Sequence, residues 1–247
     1  MKHALTRLRD TARALGPRST FFYALSRAGL DQAVRSYLLV AQPVAETPRL
    51  PARRAAAFSS REIGPTDPAL AAMPIAGSVV NFRFGQGARC LGLFRGETLA
   101  AYAWFCLNGY DEDEVRCRFE PRPAHICAWD FDVYVLPDHR ASFAFLALWD
   151  AADRFLRSQG REVSVSRISA FNLGSVRSHA RLGAKQVGRS DFVRFGGLQL
   201  AWSDLGNRRH LSLTVRRRPV IPVPVPQAAC KSGPVAATHS PKGAAKA

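Results

Sequence analysis

Residues 125–160, HICAWDFDVYVLPDHRASFAFLALWDAADRFLRSQG, decide the fold. The first twelve are rich in β-branched and aromatic types and read as the strongest strand of the chain, ending at Pro137, which cannot donate to a ladder. A short basic loop follows, and then a helix over 142–158. Phe145, Leu148, Trp149, Ala152, Phe155 and Leu156 fall at i, +3, +4, +7, +10 and +11, the spacing of one buried face. Gly160 ends it. A helix start has amides without partners and a partial positive charge, so this junction is suited to an anion, with Arg140 at its entrance. A plain strand–loop–helix connection is the structural alternative.

Reading outward, EVSVSRISAF (162–171) is the next strand. A helix between two successive strands implies a parallel pair. NLGSVRSHARLG (172–183) reads as a short helix with Asn172 as N-cap and Gly183 beyond its end. On the other side, AFSSREI (57–63) reads as a strand. ARCLGLF (88–94) and TLAAYAWFCL (98–107) form a hairpin about Arg95-Gly96-Glu97, and VRCRFE (115–120) extends that strand. TDPAL (66–70) offers a helix start, but Pro74 and Gly77 interrupt any long helix. KQVGRSDFVRF and LQLAW close as a hairpin around Gly196-Gly197. The fold class is α+β: a mixed, mostly antiparallel twisted sheet with a central parallel pair, flanked by helices.

Three regions follow from the composition. Residues 1–56 read as a basic helical extension: an amphipathic helix at 2–15, a second helix from about Phe21 to Ala41, and a Pro/Arg-rich linker at 42–55. Residues 57–206 are the folded domain. Residues 207–247 read as a basic, Pro-rich disordered tail, with VIPVPVP favouring polyproline II. The formal charge is +16, from 35 Lys and Arg against 19 Asp and Glu. Such an excess fits an anionic partner or solvated ends. No zinc-finger spacing or RNP pattern points to a specific nucleic-acid module. The helix at 2–15 suits packing on the sheet, a homodimer contact or weak contact with an anionic membrane. Five cysteines without CxxC spacing argue against a disulfide framework or a zinc site. With no apolar leader and no long apolar run, a cytoplasmic location is expected.

Two segments resemble the GNAT superfamily of N-acetyltransferases. Val135, Pro137 and Arg140 match its cofactor motif V-x-P-x-x-R-x-x-G-x-G. Asn172, Ser175, His179, Gly183 and Ala184 follow the spacing of its C-terminal motif. The resemblance covers roughly residues 57–203 and implies that the parallel pair splays apart. It implies an acyl-CoA co-substrate, acetyl-CoA in the simplest case, and a small-molecule or peptide amine as acceptor, with no metal. The cofactor would meet Val133, Val135, Arg140, Ala141, Ser142, Phe143, Ala144, Phe145, Asn172, Ser175 and His179. Phe143 and Phe145 stand where the family has glycines, and their Cβ atoms either block the pyrophosphate or their rings turn into the core.

Asp132 or Asp130 is expected as the base that accepts the amine proton. Strand alternation puts both on one face, opposite Trp129, Phe131 and Val133. A structural ion pair with Arg167 is the other reading. His179 replaces a family Tyr as the acid for the thiolate, or is a solvated helix residue; Tyr134 is the back-up acid. The run YDEDE (110–114) either recognises a cationic acceptor or is a solvated loop. A non-catalytic acyl-CoA-binding or regulatory module and a basic nucleic-acid-binding protein are the competing functions.

Overall fold

The computed structural model describes residues 20–25, 29–30, 33–205, 209–214 and 218–226. In chain order the strands are β1 (Val34–Pro43), β2 (Ser59–Ile63), β3 (Arg89–Arg95), β4 (Thr98–Cys106), β5 (Tyr110–Asp111), β6 (Arg118–Arg122), β7 (Cys127–Val135), β8 (Val163–Ser169), β9 (Lys185–Phe195), β10 (Leu198–Ser203), β11 (Arg209–Ser212) and β12 (Val220–Pro224). The helices are α1 (Ala52–Ala55), α2 (Gly77–Gly85), α3 (Ala144–Ser158) and α4 (Leu173–Arg181). Nine strands form one sheet in the order β11-β10-β9-β1-β8-β7-β4-β3-β2, and β12-β6-β5 form a second. In the large sheet every neighbouring pair is antiparallel except β7–β8. The α+β class and its central parallel pair are therefore as expected.

The sheet has two covered faces. On one, Tyr37, Trp104, Trp129 and Phe131 pack with Tyr110, Phe119 and α2. On the other, Ala103, Phe105 and Ala128 pack against Leu148, Trp149, Ala152 and Leu156 of α3. The apolar stripe read from the sequence is the face that α3 buries.

Four expectations are corrected. Of the helix expected from about Phe21 to Ala41, residues 20–25 are α-helical and residues 29–30 π-helical, and from Val34 the chain is strand β1. VRSYLLVAQP is a continuous apolar run, which fits a buried strand as well as a helix. Its pairing with β8 on one side and β9 on the other decides the matter. Residues 34–43 are thus the middle of the sheet and not part of an extension. Second, the expected linker is strapped to α3: the Leu50 amide donates to Asp150 at 3.0 Å, and the Ala45 amide and Arg49 Nε donate to Asp153 at 3.1 and 2.7 Å.

Third, the expected tail contributes two strands. β12 pairs in parallel with β6 at the edge of the small sheet. There a proline's missing N–H is tolerated, while Ile221 and Val223 are buried. Fourth, residues 115–120 do not extend β4; Arg118–Arg122 form β6 of the second sheet. The helix start at 66–70 is a short 3-10 turn, Pro68–Ala72, that ends before Pro74 as expected, and a separate helix, α2, which the sequence reading did not assign, begins at Gly77. The helix expected at 2–15 and the tail beyond residue 226 lie outside the described residues.

Candidate functional site

β7 and β8 pair only from Cys127–Val163 to Asp130–Ser166. β7 runs on to Val135 and β8 to Ser169 without pairing to each other. The cause lies on the other side of β7. Its register against β4 passes from Trp104–Phe131 to Tyr102–Tyr134, so three residues of β7 oppose two of β4. This is a β-bulge, which bends a strand and increases its twist. Asp132 sits in it at φ 47°, the left-handed region that Asp tolerates better than most side chains. Past the bulge the Leu136 amide donates to Ala100 C=O at 3.0 Å, so residues 134 and 136 address β4. The backbone groups of Val133 and Val135 then point the other way, into the notch left by β8.

The bulge also corrects the aspartate pair. Phe131 packs on the Trp104 face, and Asp132 bonds there to Arg83, whose guanidinium lies over the rings of Trp104 (5.4 Å) and Phe131 (5.2 Å). Asp130 is on the α3 face, where Ser164 Oγ donates to it at 2.6 Å; Val133 and Val135 share that face. Burial pushes the Asp130 carboxyl up to about 7, against the hydrogen bonds from Ser164 and Ser166. The two aspartates are thus separated by the sheet. Neither is bonded to Arg167.

Arg140 folds back onto the end of β7. Its Nε donates to Val135 C=O at 3.2 Å and its Nη2 to Tyr134 Oη at 3.1 Å. Tyr134 stacks on Tyr102 with ring centroids 5.5 Å apart. At the start of α3, Ser142 Oγ donates to His139 C=O and accepts from the Ala144 amide, and the first helical bond runs from the Ala147 amide to Phe143 C=O. Ala141 is exposed. Of the two phenylalanines only Phe145 turns towards the core. Phe143 is 42% exposed, with Arg54 lying 4.4 Å above its ring.

In α4, Asn172 Oδ1 accepts the Ser175 amide at 3.0 Å, the cap read from the sequence. His179 is neither solvated nor charged. It is 6% exposed, edge-on to Trp149 at 5.5 Å, and its Nδ1 has no hydrogen-bond partner among the described residues. Burial lowers it to about 4, so the ring is neutral near pH 7 and cannot serve as a cationic acid there.

The acidic run is not a solvated loop. It lies over the Asp132 face and is matched residue by residue with arginines. Glu112 is 5% exposed and takes Arg167 Nε and Nη2 at 2.6 and 2.7 Å. Burial raises its carboxyl to about 7 against the pull of Arg167. Burial also opposes the ionised form of Asp113, but Arg83 at 2.9 Å holds that carboxyl below its ordinary value. Glu114 accepts from Tyr37 Oη at 2.7 Å and pairs with Arg35. The structure therefore gathers Asp132, Asp113, Glu112, Arg83 and Arg167 on one side of the notch and leaves Asp130 and His179 on the other. Arg83 escaped the sequence reading; its one signal was a lone cation among apolar residues in GSVVNFRFG (77–85). Among the described residues no group of three or more His, Cys, Asp or Glu side chains is placed to hold a metal.

No family model matches the chain and no curated protein does. Among solved structures it is similar to a tandem GNAT protein from the clavulanic acid biosynthesis pathway, at 16% identity and TM-score 0.44, covering 68% of this chain and 55% of that one. It is also similar to a GNAT-family protein from Novosphingobium aromaticivorans, at 19% identity and TM-score 0.45, covering 64% and 62%. A GCN5-related N-acetyltransferase from Kribbella flavida gives 17% identity and TM-score 0.41, covering 66% and 60%. The chain thus spans less than two thirds of the length of each.

Proposed function

We propose that the chain is an acyl-CoA-dependent acyltransferase that acylates a primary amine, with the acyl-bearing arm of the co-substrate in the β7–β8 notch. The observation that carries this reading is the loss of pairing beyond Asp130–Ser166 while both strands continue. Backbone groups facing a gap beside a sheet need partners, and an extended amide-containing chain supplies them as an added strand would. Val133 and Val135 are the groups that would hold it. Acyl-CoA supplies the activated thioester.

The chain's own residues have distinct tasks in this reading. Arg140 leaves Val135 C=O and turns to the phosphates beside the amides that lead into α3, from Ala141 to Phe145. The α4 cap, Asn172 and Ser175, lines the far side of the arm. Asp132, turned towards the acidic loop by the bulge, accepts the amine proton, and Arg83 fixes its orientation. Tyr134 Oη takes over as the group that protonates the departing thiolate, because His179 is buried and neutral.

Isothermal titration with acetyl-CoA tests this reading. Binding is expected, and no heat at millimolar concentration sinks it. Asp132→Asn should lower turnover more than tenfold with affinity for acetyl-CoA kept. A second reading is a binding module without turnover. It is favoured by the exposed Phe143 ring at the phosphate end and by Arg140 covering Val135 C=O. Tight binding without transfer to any amine would select it.

A further inference from the structure

Beside the acidic loop lies a cavity of roughly 330 Å³, at the small end of the ~300–1,000 Å³ usual for ligand sites. Val79 and Phe82 of α2 and Val115 supply the apolar part of its lining, and Arg116, Arg194 and Arg218 line it together with Glu112 and Asp113. The acids of the loop are already matched: Glu112 to Arg167, Asp113 to Arg83, Glu114 to Arg35 and Tyr37, Asp111 to Arg118 and Arg218.

Arg116 and Arg194 are different. Arg116 Nη2 donates to Gly197 C=O and Arg194 Nη1 to Glu114 C=O, both at 2.7 Å. The Nε atom of each is buried without a partner, and neither has a carboxylate within salt-bridge distance among the described residues. The Arg116 main chain is clamped to Gln199 in both directions, at 2.9 and 2.7 Å, and its guanidinium is tied to the β9–β10 turn through Gly197 C=O. Desolvation and then the neighbouring Arg194 charge lower Arg116 from the usual guanidinium value. Two adjacent cations with unspent donors call for an anion. A single negative charge suits the site better than a phosphate dianion, because Glu112 and Asp113 share the lining.

The inner wall also leads to the notch. Glu112 is bonded to Arg167, one residue beyond the last parallel pair, and Asp113 shares Arg83 with Asp132 at the bulge. We infer that this cavity is the acceptor pocket and that Arg116 and Arg194 hold a carboxylate of the acceptor, a small amine of the amino-acid kind. This inference rests on the transferase reading.

The test is isothermal titration of the full chain with the standard amino acids, with the carboxamide of the best binder, and with inorganic phosphate. At least one amino acid should bind, and its carboxamide should bind at least tenfold more weakly. Arg116→Gln and Arg194→Gln should each weaken the amino acid at least tenfold and Arg116→Lys less, while the exposed Arg95→Gln leaves it unchanged; thermal melts check folding. The inference is overturned if no amino acid binds, if the carboxamide binds equally, if the glutamine variants bind as wild type does, or if phosphate outcompetes every carboxylate. Acetyl-CoA is titrated into the same preparations. Protein that binds acetyl-CoA but no amino acid loses only the acceptor pocket. Protein that binds the amino acid but not acetyl-CoA keeps a carboxylate site and loses the transferase reading with its acceptor role.

Discussion

Asp130→Asn should make the protein more stable, and increasingly so as pH rises. Asp130 is 1% exposed and sits at the apex of the notch, its carboxyl accepting a 2.6 Å bond from Ser164 Oγ. Desolvation, the largest influence, raises it to about 7. For a carboxyl raised on folding, the folded state holds its proton more tightly than the unfolded chain does. Its contribution to stability is therefore fully present below the unfolded value and is lost as pH rises through the folded value. Taking an ordinary Asp value near 3.9, linkage gives a cost of about 1–2 kcal/mol at pH 5 and about 4 kcal/mol at pH 8 for a folded value of about 7. Asn keeps an acceptor for Ser164 and has no charge to desolvate. The stability difference between variant and wild type should thus grow by about 2–3 kcal/mol between pH 5 and pH 8, or roughly 5–10 °C in melting temperature. Urea unfolding of both proteins at pH 5, 6, 7 and 8 reads this directly. Because only the difference between the two proteins is used, Glu112 and His179 titrate equally in both and cancel. A gap that stays constant over that range, or narrows, would refute the claim that Asp130 is a desolvated carboxyl.

Three further outcomes follow from the site. His179→Leu should raise stability or leave it unchanged, since a buried Nδ1 without a partner costs about 1–3 kcal/mol, whereas His179→Ala should lower it by roughly 2–4 kcal/mol through the space left beside Trp149; thermal melts distinguish the two. Arg167→Met should cost about 3–5 kcal/mol at pH 8 and clearly less at pH 6, because without the pull of Arg167 the buried Glu112 carboxyl rises further and must take up a proton on folding, a demand that grows as pH climbs above its unfolded value; equal losses at both pH values would contradict the assignment. At the bulge, Asp132→Gly should fold normally, whereas Asp132→Val should lose ~1–3 kcal/mol more than Asp132→Asn, because a β-branched side chain is strained at positive φ; denaturant midpoints rank the three.

What the sequence showed, it showed through local pattern. The stripe from Phe145 to Leu156, the Asn172 cap and the two hairpins are set by neighbours a few residues apart. β1 was hidden because its pattern is a continuous apolar run, and only its distant partners, β8 and β9, make it a strand. β12 was hidden because Pro222 and Pro224 signal irregular chain, and an edge position removes that objection. The site failed at the same scale. Period-two alternation paired Asp130 with Asp132, and one inserted residue overruled it. His179 has the spacing of a helix facing a cofactor, but its burial depends on Trp149, thirty residues earlier in the chain. The partners of YDEDE lie on α2, β1, β6 and β8, so a charge run that reads as solvated is a set of ion pairs to four elements.

The notch is a disagreement between two ladders, and that explains why both β1 and the bulge are needed. β8 is paired with β1 along its whole length, from Val163–Pro43 to Ser169–Tyr37, so its far end cannot follow β7. β7 stays paired with β4 beyond the bulge, through Tyr134–Tyr102 and Val135–Ala101. Each strand remains loyal to its outer neighbour, and the extra twist at Asp132 opens the space between them. Three residues of β7, 133–135, span roughly 10 Å of that opening at about 3.3 Å per residue. The same inserted residue moves Asp132 to the face of the acidic loop while Val133 and Val135 keep to the face of α3. A single backbone irregularity thus supplies both the unpaired edge and the carboxylate beside it.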